Sequence, residues 1–217
     1  MHNIILIGSY HGNKGNCNHI ELLKILEKIK PDVLFEEKHP SYYDAFYKNK
    51  TRNNLESDAI NLYLENHSLN QVLVDDNVMP PTNSEYMYNQ IEKRSHGYRN
   101  LIDTNSIYTE YYGFKYLNSD ICLNYHQALG NEIEETLKFI GDENLFPIRK
   151  AWLEWVEKRD NTMMVNIYNH SKNNEYKTGI FLVGTSHRKS IIEKIPEYNN
   201  KEGVILNWNY CEYENIL

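Results

Sequence analysis

Residues 3–11 read Asn-Ile-Ile-Leu-Ile-Gly-Ser-Tyr-His, and this stretch decides the fold. Its apolar run ends at Gly8, which is typical of a strand buried on both faces of a parallel sheet. Residues 20–29 carry apolar side chains at helical spacing. Pro31 ends that helix before a short apolar strand that begins at Val33. A strand, a helix and a second strand within about 30 residues predict a βαβ unit.

The C-terminal part of the chain repeats this pattern. Residues 181–187 read Phe-Leu-Val-Gly-Thr-Ser-His and, like residues 5–11, contain three apolar residues, Gly, a hydroxyl residue, one further residue and His. A strand over residues 180–183, a helix over 188–195 and a strand over 204–207 predict a second βαβ unit. Pattern, order and context coincide, which favours an internal repeat. The sequence therefore predicts an α/β fold, with a mixed or parallel central sheet flanked by helices and two pseudo-symmetric βαβ halves.

The length of 217 residues fits a single α/β domain over residues 1–217. We expect an N-terminal half over residues 1–76, a mainly helical insert over 77–145, and a C-terminal helix and βαβ half over 146–217. The hydrophobic period of residues 102–125 is too weak to assign an element. Further helices are predicted over residues 42–47, 55–64, 85–98, 133–140 and 146–170, and a short strand over residues 71–75.

Composition restricts the class of protein and its partners. A net charge of -7 without a basic stripe argues against nucleic acid. Three widely spaced cysteines, Cys17, Cys122 and Cys211, with no CxxC motif favour a reducing compartment over a disulfide framework. No signal peptide or membrane span is recognised. We therefore expect a cytoplasmic protein that acts on a small-molecule or peptide substrate, without nucleic acid or membrane partners.

Both repeated turns place a histidine just after a strand, where ligands of parallel sheets bind. Glu36 ends the second strand of the first unit, so we expect it to meet His11 and His187 at the same edge. Two imidazoles and one carboxylate form a donor set for a divalent metal such as Zn²⁺, Mn²⁺ or Co²⁺. Without metal, one histidine acts as general base and Glu36 orients it. Glu37 is adjacent, and one of the two glutamates is expected to play a supporting or solvated role.

Arg159 falls on the core-facing stripe of the predicted long helix. A buried guanidinium needs a carboxylate or an anionic ligand, so Arg159 is expected to pair with Glu36 or Asp75, or to bind substrate and stabilise an oxyanion. The alternative is that its stem packs and its head reaches water. Asp75 is a candidate supporting partner of a histidine, or a turn residue. Tyr10 and Ser186, inside the two turns, are candidate substrate-binding residues.

Other motifs are uninformative or missing. The sequence has no GxSxG, HExxH, Walker A or GxGxxG motif, which argues against the common hydrolase, zincin and nucleotide-binding families. The remaining histidines lie in no comparable setting and are expected to be surface or capping residues: His19, His39, His67, His96, His126 and His170.

The order of these motifs resembles the TraB/Tiki and erythromycin-esterase/ChaN-like superfamily. The motifs that carry the resemblance span nearly the whole chain: Gly8 to His11, Lys30-Pro31-Asp32-Val33, Glu36, Val74-Asp75, Arg159 with Met163, and Gly184 to His187.

This resemblance implies an α/β fold of two related halves with the site between them. Tiki-like members are metal-dependent proteases, erythromycin-esterase members use a histidine to open a lactone, ChaN-like members bind haem, and TraB-like members are linked to peptide pheromone control. The chain departs from the pattern by lacking a recognised export signal or membrane segment. It also reads Glu37-Lys38 after Glu36, where TraB-like members often place Asp two residues past the Glu.

The leading hypothesis is a metal-dependent hydrolase, either a peptidase or an amide or ester hydrolase. His11, His187 and Glu36 would hold the metal, and Arg159 would stabilise developing negative charge. Two alternatives stay open: a metal-independent esterase-like enzyme with His11 or His187 as general base, and a non-catalytic protein that binds haem or a peptide.

Overall fold

A computed structural model of the chain describes residues 2–76 and 78–210. All strand pairs in its central sheet are parallel, in the order β3-β2-β4-β1-β5. The predicted α/β class is confirmed, and the sheet is parallel rather than mixed. The strands are β1 (His2–Ser9), β2 (Val33–Glu36), β3 (Asn70–Leu73), β4 (Thr178–Gly184) and β5 (Leu206–Asn209).

Helices cover both faces of this sheet. A 3-10 turn (Pro40–Tyr42) and a π-helix (Asp44–Lys48) also lie between β2 and β3. The α-helices are α1 (His19–Ile29), α2 (Leu55–Leu64), α3 (Ser84–Arg94), α4 (His96–Leu117), α5 (Asp120–Ile140), α6 (Leu145–Asn173) and α7 (Thr185–Lys201).

The strands of the two βαβ units are interleaved. β1 and β4 pair at the centre in a register that runs from Asn3 opposite Thr178 to Ser9 opposite Gly184. β1 also pairs with β5, and β4 also pairs with β2. The connection from β1 to β2 therefore crosses β4, and the connection from β4 to β5 crosses β1. This strand order is the one expected if an approximate twofold axis parallel to the strands relates the two units. As the sequence predicted, the strands that lead into the two histidine turns are neighbours.

Alternation along the strands divides the core into two layers. Leu34 and Leu182 pack with α1 and α2 on one face, whereas Phe35 and Val183 pack with α6 and α7 on the other. Successive side chains of a strand point to opposite faces. This alternation decides which of the two glutamates after Phe35 reaches which layer.

Several element boundaries differ from the predicted ones. The unassigned residues 102–125 lie almost entirely in α4 and α5. The predicted helix over residues 85–98 is two helices, because Ser95 has extended backbone and caps α4 by accepting a hydrogen bond from the Tyr98 amide. The predicted helix over residues 42–47 is the 3-10 turn followed by the π-helix. α7 begins three residues earlier than predicted, so His187 lies in its first turn.

Two sequence expectations concern thiols and membranes. Cys17 and Cys122 are buried free thiols, and Cys211 lies outside the described residues. Across residues 2–76 and 78–210, every helix is too short or too polar to cross a membrane.

Candidate functional site

The two histidine turns leave the sheet side by side at its carboxyl edge. The end of α4 holds both of them. The Asn118 amide accepts a hydrogen bond from the Gly8 backbone N–H at 2.7 Å and donates to the Gly8 carbonyl at 3.1 Å. The Thr185 hydroxyl donates to the Leu117 carbonyl at 3.1 Å. Because one helix end binds both turns, their relative position is fixed by hydrogen bonds as well as by strand pairing.

His11 forms a dyad with a carboxylate that the sequence did not indicate. Its Nδ1 lies 3.0 Å from Glu56 Oε1, and the Ser9 hydroxyl donates to the same oxygen at 2.6 Å. Glu56, in the first turn of α2, is buried, whereas the side chain of His11 is 59% exposed. The hydrogen bond to Glu56 raises the pKa of His11 above its ordinary value, and the charges of Glu56 and Glu37 raise it further against the effect of burial. A buried carboxylate thus orients an accessible imidazole.

The segment that follows His11 packs closely against α4, and two glycines make this close approach possible. The Asn16 backbone N–H donates a hydrogen bond to the Glu110 carbonyl at 2.8 Å. Gly15 has φ +52, and a β-carbon there would lie 2.4 Å from that carbonyl oxygen. Gly113 interrupts α4 with φ 52 and ψ -134, and a β-carbon there would lie 2.4 Å from the Asn16 oxygen. Only glycine permits both the conformation and the close approach.

His187 has a different environment from His11. It is buried, and its Nδ1 donates to Asp160 Oδ1 at 2.5 Å. Its Nε2 lies 3.2 Å from Glu37 Oε1. Burial lowers the pKa of His187, but the hydrogen bonds and charges of Asp160 and Glu37 outweigh it and raise the pKa to about 10. At neutral pH His187 is therefore an imidazolium that donates from both ring nitrogens and has no lone pair for general base catalysis.

Glu37 is bonded to the second turn and lies near His11 of the first. Its Oε2 accepts a hydrogen bond from the Gly184 N–H at 2.6 Å, and its Oε1 accepts one from Arg159 Nη2 at 2.6 Å. A β-carbon on Gly184 would lie 3.0 Å from Glu37 Oε2 and 3.2 Å from His11 Nε2. Burial raises the pKa of Glu37, but His187, His11 and Arg159 together hold it far below its ordinary value. Both imidazoles therefore adjoin one permanently ionised carboxylate.

Glu36 does not take the place that the sequence suggested. It is buried and accepts hydrogen bonds from Lys38 Nζ at 3.0 Å, from Gln71 Nε2 at 3.2 Å and from the Tyr47 hydroxyl. Among the described residues it bonds to neither histidine. Strand alternation turns Glu36 to the face of Leu34 and away from His187, although Glu36 lines the same small cavity as His11. Glu37, expected only as a supporting residue, holds the central position.

Arg159 receives the carboxylate partners that its position requires. Its Nε lies 3.2 Å from both oxygens of Asp75, and its Nη2 lies 2.5 Å from Asp75 Oδ2. The guanidinium also stacks over the Trp155 ring, 4.8 Å from its centroid. The expected pairing with Asp75 is therefore present and the alternative with Glu36 is not. Asp75 supports Arg159 rather than a histidine, and Arg159 is a positioning residue for Glu37.

A cleft of about 470 Å³ opens between the two turns. The expected substrate-binding residues Tyr10 and Ser186 both line it, together with His11. The first turn of α7 forms part of this wall, and its N-cap, Gly184, provides no side-chain cap. The full lining is Ser9, Tyr10, His11, Gly12, Asn105, His126, Gly184, Thr185 and Ser186.

His126, which the sequence placed among surface or capping residues, lies in this cleft wall. Its Nε2 is buried and has no hydrogen-bond partner among the described residues. Burial, followed by the charge of His187, lowers the pKa of His126 to about 4. His126 is therefore a neutral imidazole at physiological pH.

Three site residues escaped the sequence reasoning: Glu56, Asp160 and His126. Glu56 reads as an ordinary first-turn acid of an amphipathic helix, and Asp160 follows Arg159 on a helix rich in charge. The one available signal was the adjacency of Asp160 to Arg159, since consecutive charged residues at a core-facing position need buried partners.

The predicted metal ligands are not assembled as His11, His187 and Glu36. In the part of the chain that the structure describes, no three His, Cys, Asp or Glu side chains are grouped to hold a metal ion. Arg159 Nη1 lies 3.5 Å from His187 Nε2, which places a cation beside the nitrogen that a metal would need.

The chain was compared with models of known protein families, with the curated proteins and with the solved structures, and none of them matches it.

Proposed function

We propose that this chain is a hydrolase of ester or amide bonds in which His11 is the general base. One observation carries the proposal: the exposed His11 ring is held at the cleft by buried Glu56 through its Nδ1, 3.0 Å away. A positioned imidazole with a pKa near neutrality is the commonest general base in enzymes. His187 is excluded from that role by its two carboxylate partners.

The proposed reaction uses water as the nucleophile. Neutral His11 donates from Nδ1 to Glu56, which leaves the Nε2 lone pair to accept a proton from water. The water oxygen attacks the carbonyl carbon, and the protonated His11 then returns the proton to the departing alkoxide or amine. A small cavity of about 10 Å³, lined by His11, Glu37 and Glu56 among others, has room for about one water.

Negative charge on the carbonyl oxygen needs a stabilising environment. The uncapped first turn of α7, at Thr185 and Ser186, supplies backbone N–H groups and the positive end of a helix dipole. The buried His187 cation lies in the same turn. Neutral His126 forms part of the cleft wall. The site is thus suited to acyl transfer to water.

The test is a hydrolysis assay with a panel of simple esters, anilides and short peptides, after exhaustive dialysis against EDTA. We expect dialysed wild type to hydrolyse at least one class, and His11→Ala to lose about 100-fold or more in kcat/KM. His19→Ala, on the same segment and hydrogen-bonded to Asn13, is the matched control and should retain full activity. Equal activity in the wild-type and His11→Ala proteins would refute the proposal.

Metal-dependent hydrolysis is the second candidate. It is favoured by the carboxylate on Nδ1 of both His11 and His187, which is how metal-binding histidines are usually oriented. A metal would lower the pKa of a bound water, but the described His, Cys, Asp and Glu side chains include no group of three placed to hold one, so this candidate requires the site to rearrange. Activity that disappears with EDTA and returns with Zn²⁺, Mn²⁺ or Co²⁺ would select this candidate over the metal-free one.

We further propose that the protein acts in the cytoplasm on a small-molecule or peptide substrate. Both parts of this proposal are supported by the scattered cysteines and by a charge of -7 that disfavours nucleic acid. The family resemblance and a non-catalytic haem-binding or peptide-binding role stay predictions. A dialysed protein that binds haem or a peptide but hydrolyses none of the substrates would support the non-catalytic binding role.

A further inference from the structure

A second concavity lies on α4, next to the cleft. It has a volume of about 290 Å³ and is lined by Tyr108, Tyr112, Lys115, Tyr116, Ser119 and Ile121. The Tyr108 ring stands edge-to-face to both other tyrosines, with centroids 5.7 Å from Tyr112 and 5.4 Å from Tyr116. We name this concavity the tyrosine groove. Its size is at the lower end for small-molecule sites, which suits part of a ligand rather than a whole one.

The tyrosine groove and the cleft share a wall. Tyr116 lines the groove, Asn105 lines the cleft, and the Tyr116 hydroxyl donates to Asn105 Oδ1 at 2.8 Å. The partition between the two spaces is therefore a pair of hydrogen-bonded side chains. The groove is therefore an immediate neighbour of the cleft that holds His11.

Two hydroxyl groups of the groove wall already have hydrogen-bond partners. The Tyr116 hydroxyl is bonded to Asn105, and the Ser119 hydroxyl donates to the Tyr116 carbonyl at 2.7 Å. The accessible lining is mostly apolar, which suits an apolar group better than a polyhydroxylated ligand such as a sugar. The exposed ring surfaces of Tyr108 and Tyr112 favour a planar apolar group, because aromatic pairs prefer edge-to-face or offset stacking.

We infer that the tyrosine groove is a specificity subsite that binds an aromatic ring of the substrate, so that the preferred substrates are esters or amides bearing an aryl group. This inference rests on the proposed function, because it assigns a substrate class to the same cleft. The groove contributes to selection between substrates, while His11 and Glu56 carry out the chemistry.

The test compares pairs of methyl esters that differ only in aromaticity, phenyl against cyclohexyl, with about one to five methylene groups between ring and carbonyl so that the ring can reach past the Asn105–Tyr116 partition. Wild type should prefer the phenyl ester of the pair whose ring reaches the groove, and Tyr112→Ala should reduce its kcat/KM by about three- to tenfold while leaving the cyclohexyl ester unchanged. Tyr111→Ala is the matched control, because Tyr111 is 67% exposed on the same helix and lies outside the groove. Tyr112 is itself 59% exposed, so its removal should leave the fold intact.

A binding measurement separates this inference from the proposed function. Phenylacetamide, titrated into the His11→Ala protein and followed by NMR, should shift resonances of residues 108–121, and Tyr112→Ala should abolish those shifts. If none of the esters is hydrolysed but phenylacetamide binds there, the proposed function fails and the subsite stands. Equal losses on both esters of that pair, the same loss in Tyr111→Ala, or phenylacetamide binding elsewhere would overturn the subsite.

Discussion

At the residue scale, His11 and His187 lie near the same carboxylate, Glu37, but differ in exposure and in the pKa of their rings. His11 has a single carboxylate partner and an exposed ring, so it can lose and regain a proton. His187 lies buried between Asp160 and Glu37, and its pKa is raised to about 10. The proposed function therefore gives proton transfer to His11 and the positioning of Glu37 to His187.

Glu56→Gln should weaken the base without removing it. The hydrogen bond and charge of Glu56 raise the pKa of His11, so their loss moves the acid limb of the pH–rate profile to lower pH. Loss of orientation should lower kcat/KM on the plateau by about tenfold. The measurement is kcat/KM against pH for wild type and variant. Asp58→Asn on the same helix is the control, and an unmoved acid limb in Glu56→Gln would contradict the role given to Glu56.

His187 should make stability depend on alkaline pH. Its pKa is about 10 in the folded protein and 6.5 when unfolded, so its contribution is complete below pH 6.5 and is lost as pH rises through about 10. Between pH 6.5 and about 8, before cysteine thiols of the unfolded chain titrate near their ordinary pKa of 9.0, the free energy of unfolding should fall by about 1 kcal/mol per pH unit. Urea denaturation across this window should show that slope in wild type and a flatter one in His187→Gln. Parallel slopes would show that His187 is not charged in the folded state.

Residue identity at the site was predictable only in part. The repeated Gly-hydroxyl-x-His pattern located His11, Ser186 and His187 correctly at one sheet edge. The sequence pattern did not show that Glu37 rather than Glu36 contacts His187, because strand alternation gives the two glutamates opposite faces. Glu56 and Asp160 could not be found, since their partners come from elements distant in the chain.

At the element scale, the segment after His11 depends on the interruption of α4. Gly113 has non-helical backbone angles that interrupt α4. Near this interruption, Asn16 donates hydrogen bonds to the Glu110 carbonyl from its backbone N–H and to the Tyr111 carbonyl from its side-chain amide. The same interruption contributes to the weak hydrophobic period of residues 102–125, where no helix could be assigned from sequence. The strands and the helices on the core faces were predictable, because their apolar periods are strong.

Gly15→Ala should displace the His11 segment. The new β-carbon would lie 2.4 Å from the Glu110 oxygen in a left-handed backbone conformation, so the segment must move. We expect a loss of about 1–3 kcal/mol in the free energy of unfolding and at least tenfold in kcat/KM. Chemical denaturation and the ester assay measure both. Gly130→Ala, in α5 with open space around it, is the control and should stabilise the protein by about 0.5–1 kcal/mol. Unchanged activity in Gly15→Ala would contradict the clamping of this segment.

At the scale of the whole molecule, interleaving makes the two βαβ units interdependent. β4 lies between β2 and β1, so neither strand of the first unit pairs with the other. The sequence predicted the two units and their central contact. It could not predict this exchange, because strand order depends on long-range pairing rather than on local pattern.

A fragment of residues 1–145 should therefore not fold alone. It lacks β4, and its β1 and β2 would each expose an unpaired edge where the central strand belongs. Its amide NMR spectrum should show little dispersion, and adding residues 146–217 should restore the dispersion of the intact chain. A cooperative unfolding transition in the isolated fragment would instead show that the first unit is independent.

The division of roles between the histidines is tested most directly by an NMR titration of the ring nitrogens in the intact protein. The account predicts that His11 titrates above 6.5 and that its neutral form keeps the proton on Nδ1, facing Glu56. It also predicts that His187 stays charged up to about pH 10 and that His126 stays neutral down to about pH 4. A His187 that titrates near 6.5, or a neutral His11 with its proton on Nε2, would contradict the account.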